Sequence, residues 1–376
     1  MMNPRYVIIA GTTLVAGGIL LGVGGRGAPP MQAEGFNATV ITTGLDTPWD
    51  LAWGTDGMIW VSERGGRVSR VDPATGRRSG AGEVAGVLES GEGGLMGIAL
   101  HPDFARDPWL YAMHTYESPQ GTRNRLVRLR WNGSTLGGQQ VLLDDIPGGG
   151  IHNGARVVVG RDRMLYVSTG DAGNASVSQD STSTGGKILR VHLDGRTPAD
   201  NPFGSVVWSW GHRNGQGLVV HPRTGVIYET EHGSGDNDEV NIIERGRNYG
   251  WPNVRGACDD TSEREFCREQ RVVEPLASWT PTVAITGADL YLSDRAPALR
   301  NSLLATSLSG RALWRLKLSA DGARITERAV MLSGIYGRLR DVLVAPNGDI
   351  YLATSNRDGR GSPADNDDRI IRLTPR

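Results

Sequence analysis

Beyond a Gly/Pro-rich linker that ends near Gln32, the apolar residues fall in short runs. Each run breaks at a Gly- or Pro-containing turn and resumes as a second run rich in aromatic and β-branched residues. This is the signature of paired strands. DLAWGTDGMIWVSE from Asp50, GIALHPDFARDPWLYAMH from Gly97, RVVVGRDRMLYVSTGD from Arg156, GLVVHPRTGVIYETEHG from Gly217 and DVLVAPNGDIYLATSN from Asp341 repeat it, and ADLYLSDRAPALRNSLLATSL from Ala288 is a weaker sixth copy. Most copies lead into a further strand-like run: GRVSRVD from Gly66, NRLVRLRW from Asn124, GKILRVHLDG from Gly186, RALWRLKLSADG from Arg311 and DRIIRLTP from Asp368. Beyond the N-terminus no stretch shows a convincing amphipathic-helix period.

Repeats of about 40–60 residues, each a small antiparallel sheet that cannot bury both faces alone, predict an all-β fold: a six-bladed β-propeller with four-stranded antiparallel blades. Stacked radially, such blades cover one another, and their loops converge at the two ends of a central channel. A pair of β-sandwiches would also give short strands between turns, but it does not require the same strand–turn–strand unit six times.

Composition supports this picture, with 53 Gly and 10 Trp in 376 residues, which suits tight turns and aromatic strand anchors. Forty Lys and Arg against 41 Asp and Glu, with no basic block, point away from nucleic acid or an acidic membrane surface and toward a small neutral ligand. Arg5 and the apolar run from Tyr6 to Val23 read as a signal peptide or an uncleaved N-terminal anchor. Residues 1–33 are therefore assigned to that segment and its linker, and residues 34–376 to the propeller. The expected location is periplasmic or secreted, with membrane contact only through the N-terminal segment. Gly22, Gly24 and Gly27 spell G-x-G-x-x-G but precede Ala28-Pro29-Pro30 and no helix, so they carry no phosphate site. Cys258 and Cys267 share one polar loop, and in an exported chain they are expected to pair, worth about 2–3 kcal/mol in the chain-entropy model.

The stretch from Trp208 to Trp251 holds two unlike polar clusters. His212-Arg213-Asn214 lies between Gly211 and Gly215, where backbone as well as side chains can approach a flat or anionic ligand. Glu231 to Glu239, EHGSGDNDE, offers carboxylates and glycine-freed carbonyls, the hard oxygen donors that calcium prefers. The hairpin LVVHPRTGVIYE between them should bring both clusters to one end of a sheet. Either cluster taken alone reads equally as a polar loop. His152, flanked by glycines in GGGIHNGARVVVG, is a candidate general base, although a lone loop histidine is usually ordinary surface. Arg338 and Arg340 alternate, so on a strand they share a face and can clamp carboxylates, unless they simply pair with Asp341. SQDSTSTGGKILR lacks the first glycine of a phosphate loop and has Ile188 in place of a magnesium-binding hydroxyl. No G-x-S-x-G or H-E-x-x-H appears.

In order along the chain stand GEGGLMGIALHPDF, HNGARV, GGKILRVHLDGRTPADNPF, WSWGHRNGQGL, EHGSGDNDEVNII, GRNYGWPNV, WTPTVAITG and GRLRDV. Together, and over nearly the whole chain from about Gly44, they resemble the soluble pyrroloquinoline quinone (PQQ)-dependent aldose sugar dehydrogenases, the glucose/sorbosone dehydrogenase family. The resemblance implies a six-bladed propeller holding PQQ at the channel mouth, and oxidation of the C1 hydroxyl of aldoses to lactones, with electrons passed to an acceptor that the sequence does not identify. It makes His152 the base that takes the C1 proton and Arg213, with Asn214, the contacts of the quinone oxygens. Arg338 and Arg340 match partners of the cofactor carboxylates. Gly233 and Ser234 match carbonyl ligands of a calcium that bridges to PQQ, and Glu239 and Tyr249 match a second calcium site, the tyrosine through its backbone.

Three positions depart from the family pattern. Glu92 stands where many members have glutamine, and a bare carboxylate there would repel an anionic cofactor. Ser309 replaces a lysine that faces the quinone, with Arg311 two residues on as the candidate replacement. Ile285 stands where proline is common. Glu92 and Ser309 keep open a rival reading, a calcium-stabilised propeller that binds a ligand or partner protein without redox chemistry. A propeller hydrolase using calcium as a Lewis acid would need carboxylates at several places around the axis, and EHGSGDNDE supplies them at one.

Overall fold

In the computed structural model residues 35–376 are described, and the segment assigned as signal or anchor lies outside them. Twenty-four strands, numbered in chain order, form six four-stranded antiparallel sheets arranged as the blades of a propeller. The first strand of each repeat lies innermost: β2 (Pro48–Trp53), β6 (Leu95–Leu100), β10 (Gly154–Val159), β14 (Gly215–Val220), β18 (Ile285–Tyr291) and β22 (Leu339–Val344). Each packs against the next, and β22 packs back against β2, closing the ring. Gly97 and Gly217 stand on inner strands where a Cβ would run into the neighbouring strand, so the ring can be this tight only with glycine there.

Five sheets use four consecutive strands, whereas the last is stitched from both chain ends. There β1 (Phe36–Thr42) pairs with β24 (Ile370–Pro375), which continues through β23 (Ile350–Thr354) to β22. Apolar residues from facing blades fill each gap between neighbours. Tyr111, Met113 and Leu126 meet Val157, Leu165, Val167 and Leu189 at one such gap, and Leu304 and Leu313 meet Val342, Leu352 and Ile371 at another. A fully buried side chain of this kind contributes about 1.5–3 kcal/mol, so the blades hold one another by area and not by a single central core.

The axis is closed by charge. Arg156 on β10 donates to Asp50 on β2, to Asp341 on β22 at 3.1 Å and to the Gln216 carbonyl at 3.0 Å. Both aspartates also accept backbone N–H groups, from Ile98 and Leu51, each at 2.8 Å. Beyond this plug the channel opens to about 860 Å3, lined by all six inner strands.

Two segments differ from expectation. The polar run holding the cysteines is a helix, α1 (Thr261–Gln270), capped by the Asp260 carboxylate on the Glu263 N–H and ended by left-handed Arg271. None of its residues is buried, so it has no apolar stripe to betray it. Cys258 and Cys267 form a disulfide across its start, as expected. The polar run Glu231 to Glu239 is only partly loop. Its ends belong to β15 (Ile227–Glu231) and β16 (Asp238–Ile243), with Glu231 directly opposite Glu239. Among the described residues no helix is long and apolar enough to cross a membrane.

Candidate active site

The inner strands β2, β6, β10, β14 and β22 bring their first residues or the loops before them to one cavity of about 550 Å3, and the blade of β18 reaches it through Leu308. Four arginines, Arg64, Arg338, Arg340 and Arg360, and two carboxylates, Glu92 and Asp358, line it together with His232, Gln216 and Trp49. The excess of cations suits an anionic ligand.

His152 lies beside this cavity on the loop before β10, in a left-handed backbone conformation (φ 54°) that a non-glycine residue rarely adopts. Its carbonyl approaches Gly170 so closely that a Cβ there would overlap it. The ring is fixed from both sides. Nδ1 donates to Asp171 Oδ1 at 2.7 Å, and Nε2 faces the Arg213 guanidinium at 3.0 Å. A carboxylate on Nδ1 selects the tautomer that leaves Nε2 as the free base. Asp171 is itself held by Trp251 Nε1–H at 2.9 Å and the Gly173 N–H at 2.8 Å. Burial would raise its pKa, but His152 and the Gly173 N–H outweigh burial and hold the carboxyl below its usual range. Arg213 lies over the Trp251 ring and donates to the His232 carbonyl at 2.9 Å. Its buried Nε has no partner.

Arg340 is 8% exposed, stacks on Trp49 and donates to Gln216 Oε1 at 2.9 Å, while its Nε finds no acceptor. Burial, reinforced by Arg156, pushes this guanidinium down to about 9. Arg338 instead meets a carboxylate, Asp358 Oδ2, at 2.9 and 2.7 Å. Glu92 is not bare: one oxygen accepts the His152 N–H at 2.9 Å and the other pairs with Arg360 at 2.7 Å. Burial alone would raise its pKa, yet these two contacts bring it below the ordinary value. His232 borders the cavity and stays neutral, pushed down to about 3 by burial against the pull of Glu92. Asn214 is buried with its side-chain oxygen taken by the Gly154 N–H at 3.0 Å and by Gln216 at 2.9 Å, so it braces the His152 loop. Ser309 and Arg311 are exposed between β19 (Ser302–Ser307) and β20 (Ala312–Leu318), and neither lines the cavity, although Leu308 does.

A second cavity of about 280 Å3 shares His232 with the first and gathers Gly233, Ser234, Glu239 and Tyr249 with Arg213 and Glu231. The Tyr249 hydroxyl is committed, donating to the Ile242 carbonyl and accepting the Glu244 N–H at 2.8 Å, which leaves only its backbone to face a ligand. Burial and the adjacent Glu231 carboxylate push Glu239 up to about 8. Behind them His212 touches both Glu229 and Glu231 at 3.0 Å, and these carboxylates, against the opposing effect of burial, push it up to about 10. Three carboxyl groups and one imidazolium form an oxygen-rich wall, the donor set of a hard divalent cation.

The structure thus gathers Glu92, Arg338 and Arg340 in one cavity, sets His152 and Arg213 beside it, and collects the four metal candidates in the next. Sequence reasoning did not pick out Asp171, Trp251, Gln216, Asp358 or Arg360, and it marked Glu231 and His232 only as members of the oxygen-rich cluster. For Asp171 a signal existed: it lies just past the end of the second strand (β11, Met164–Thr169) of the repeat that His152 just precedes, hence at the same end.

The sequence model of the Glucose / Sorbosone dehydrogenase family matches residues 45–371. The aldose sugar dehydrogenase YliI of Escherichia coli is 30% identical, over 90% of this chain and 93% of its own length. Quinoprotein glucose dehydrogenase B of Acinetobacter calcoaceticus is 29% identical, over 87% of each chain. Among solved structures, the PQQ-bound form of an aldose sugar dehydrogenase from Streptomyces coelicolor is 39% identical, with a TM-score of 0.80 over 92% of this chain and 99% of its own.

Proposed function

Because the chain belongs to the glucose/sorbosone dehydrogenase family, an oxidoreductase family, we propose that it is a PQQ- and calcium-dependent dehydrogenase that oxidises the C1 hydroxyl of aldose sugars to lactones. The observation that carries this reading is the fixed imidazole of His152, its Nδ1–H on Asp171 and its Nε2 turned toward Arg213, beside a cavity with four arginines. The residues present fit an anionic cofactor. Arg340 is buried with an unmatched Nε and no carboxylate in hydrogen-bond contact, a cost that an acidic ligand group would remove.

Arg338 and Arg340 would hold the cofactor carboxylates, while Arg213 and Asn214 would face the quinone oxygens. The carbonyls of Gly233 and Ser234 would bind the calcium next to the cofactor, and Glu239 and the Tyr249 backbone a second one. When bound, PQQ supplies the two-electron acceptor for hydride from C1. His152 Nε2 takes the C1 hydroxyl proton, and Asp171 stabilises the resulting imidazolium, a general-base contribution of about 10²–10⁴-fold. The Arg213 guanidinium, held by the His232 carbonyl and the Trp251 ring, would meet negative charge building on the quinone without reorganisation. The Glu92–Arg360 pair removes the repulsion that favoured a non-catalytic, calcium-stabilised binding propeller. The electron acceptor is a separate, unidentified partner. Periplasmic or secreted location, with residues 1–33 as signal or anchor, completes the proposal.

The test is a titration of apo-protein with PQQ in calcium, reading quinone absorbance and then dye reduction on adding glucose and other aldoses. Stoichiometric binding with sugar-dependent reduction is expected, and His152→Ala should bind PQQ while losing sugar oxidation. An apo-protein that ignores micromolar PQQ, or a His152→Ala enzyme that turns over normally, would sink the proposal.

A further inference from the structure

The loop from β23 to β24 brings two charged side chains to the cavity mouth that the reading above leaves without a role. Its base is tied down. The Arg338 N–H donates to Asn356 at 2.8 Å, the Asn356 N–H to Asp368 at 2.6 Å, and Arg357 to the Asp367 carbonyl at 2.7 Å. The Asp358 carboxylate, on the tip, sits on the Arg338 guanidinium, with both side chains about nine-tenths buried (11% and 10% exposed). From the same tip Arg360 crosses the top of the blade of β2 to Glu92, which precedes β6, 268 residues away in sequence. Glu92 in turn holds the His152 N–H. Arg360 is itself 59% exposed, yet it lines the cavity. Such a long cation spanning a cleft has little reason to be ordered for stability, since an exposed pair is worth about 0–1 kcal/mol. Its position makes sense as part of what the cleft holds.

We propose that the tip of this loop is a further part of the cofactor site: Arg360 is a ligand-binding cation steered over the mouth by Glu92, and Asp358 keeps the place on Arg338 that a ligand carboxylate takes. This rests on the cavity being the PQQ site. An incoming carboxylate exchanges with Asp358 on Arg338, so the buried guanidinium is never left without a partner. Arg360 then adds the positive charge at the mouth that the exposed Ser309 and Arg311 do not bring.

The test measures PQQ affinity directly, by quenching of tryptophan fluorescence in calcium without sugar, on wild type, Arg360→Gln, Glu92→Gln, the double variant and Asp358→Asn, with thermal melts confirming that each is folded. Arg360→Gln should weaken binding about tenfold, and by a similar factor in the Glu92→Gln background, because the cation meets the ligand itself. If it has no effect once Glu92 is gone, Arg360 merely neutralises Glu92 and its proposed role is overturned. Asp358→Asn should tighten binding about threefold or more by removing the internal competitor. Weaker binding by that variant would make Asp358 a brace for Arg338 and overturn the exchange. Wild-type protein that binds no PQQ overturns the cofactor reading and this inference with it, whereas normal wild-type binding with an unaffected Arg360→Gln overturns this inference alone.

Discussion

Replacing Asp171 by asparagine isolates what orients the base. The carboxylate now serves His152 Nδ1–H at 2.7 Å, Trp251 Nε1–H at 2.9 Å and the Gly173 N–H at 2.8 Å, with two oxygens that only accept. An amide of the same shape has one accepting end. If that end faces His152, the NH2 group meets the Trp251 N–H. If it faces Trp251, the NH2 group meets Nδ1, and the imidazole must move its proton to Nε2, the atom that has to accept one. In the first case the imidazolium formed during reaction loses a charge-assisted hydrogen bond, about 1.5–3 kcal/mol or roughly 10- to 150-fold in kcat. In the second the base is blocked and the loss approaches about 10⁴-fold. The assay is dye-linked sugar oxidation at saturating PQQ and calcium, with the PQQ Kd of the variant measured alongside. KM for sugar and PQQ affinity should change little. A variant with kcat within threefold of wild type would show that Asp171 does not set the state of His152.

Calcium should stabilise the folded protein through Glu239. At about 100 times Kd the gain is about 2.7 kcal/mol, a rise of several degrees in Tm that a chelator removes, and Glu239→Gln should lose most of it. An equal calcium shift in the variant would place the ion elsewhere. Arg156→Met should leave Asp50 and Asp341 facing each other at the axis without their cation, at a cost of about 3–5 kcal/mol in urea unfolding. Burial pushes Asp50 up to about 8 even with Arg156 present, and losing the guanidinium pushes it higher still. The deficit should therefore grow as the pH is raised above about 8, where Asp50 ionises in the wild type and not in the variant, and a pH-independent loss below about 1 kcal/mol would refute the role given to the plug.

The inner and second strands of every blade were legible because both are buried and apolar around a turn that sequence chemistry marks. The third strand of the β14 blade was hidden, since DEVNII begins with two carboxyl side chains, Asp238, which accepts backbone N–H groups, and Glu239, which lines the second cavity. Outer strands such as the one spanning Arg78–Glu83 are half in water and carry no apolar alternation, and β1 buries only Phe36, so neither stands out. The site was legible where a local pattern reports the chemistry: glycines around His152, alternation of Arg338 and Arg340, oxygen-rich residues from Glu231 to Glu239. It was illegible where partners meet only in space. Arg360 and Glu92 are joined by the closure of the ring, and no spacing in the chain announces that. Ser309 shows the converse, a position marked by resemblance whose side chain lies outside the cavity.

The stitched blade has a consequence for how the protein matures. Phe36 pairs with Pro375, so the last sheet is completed only when the two ends of the described chain have met. Contacts so distant in sequence form slowly, after the local hairpins of the other blades. Arg338, Arg340, Asp358 and Arg360 all belong to that late sheet or its loops. They come to face Trp49, Arg64, Glu92 and Gln216 of the other blades only once the ring has closed, so the cavity as a whole, unlike any one blade, exists only in the finished ring.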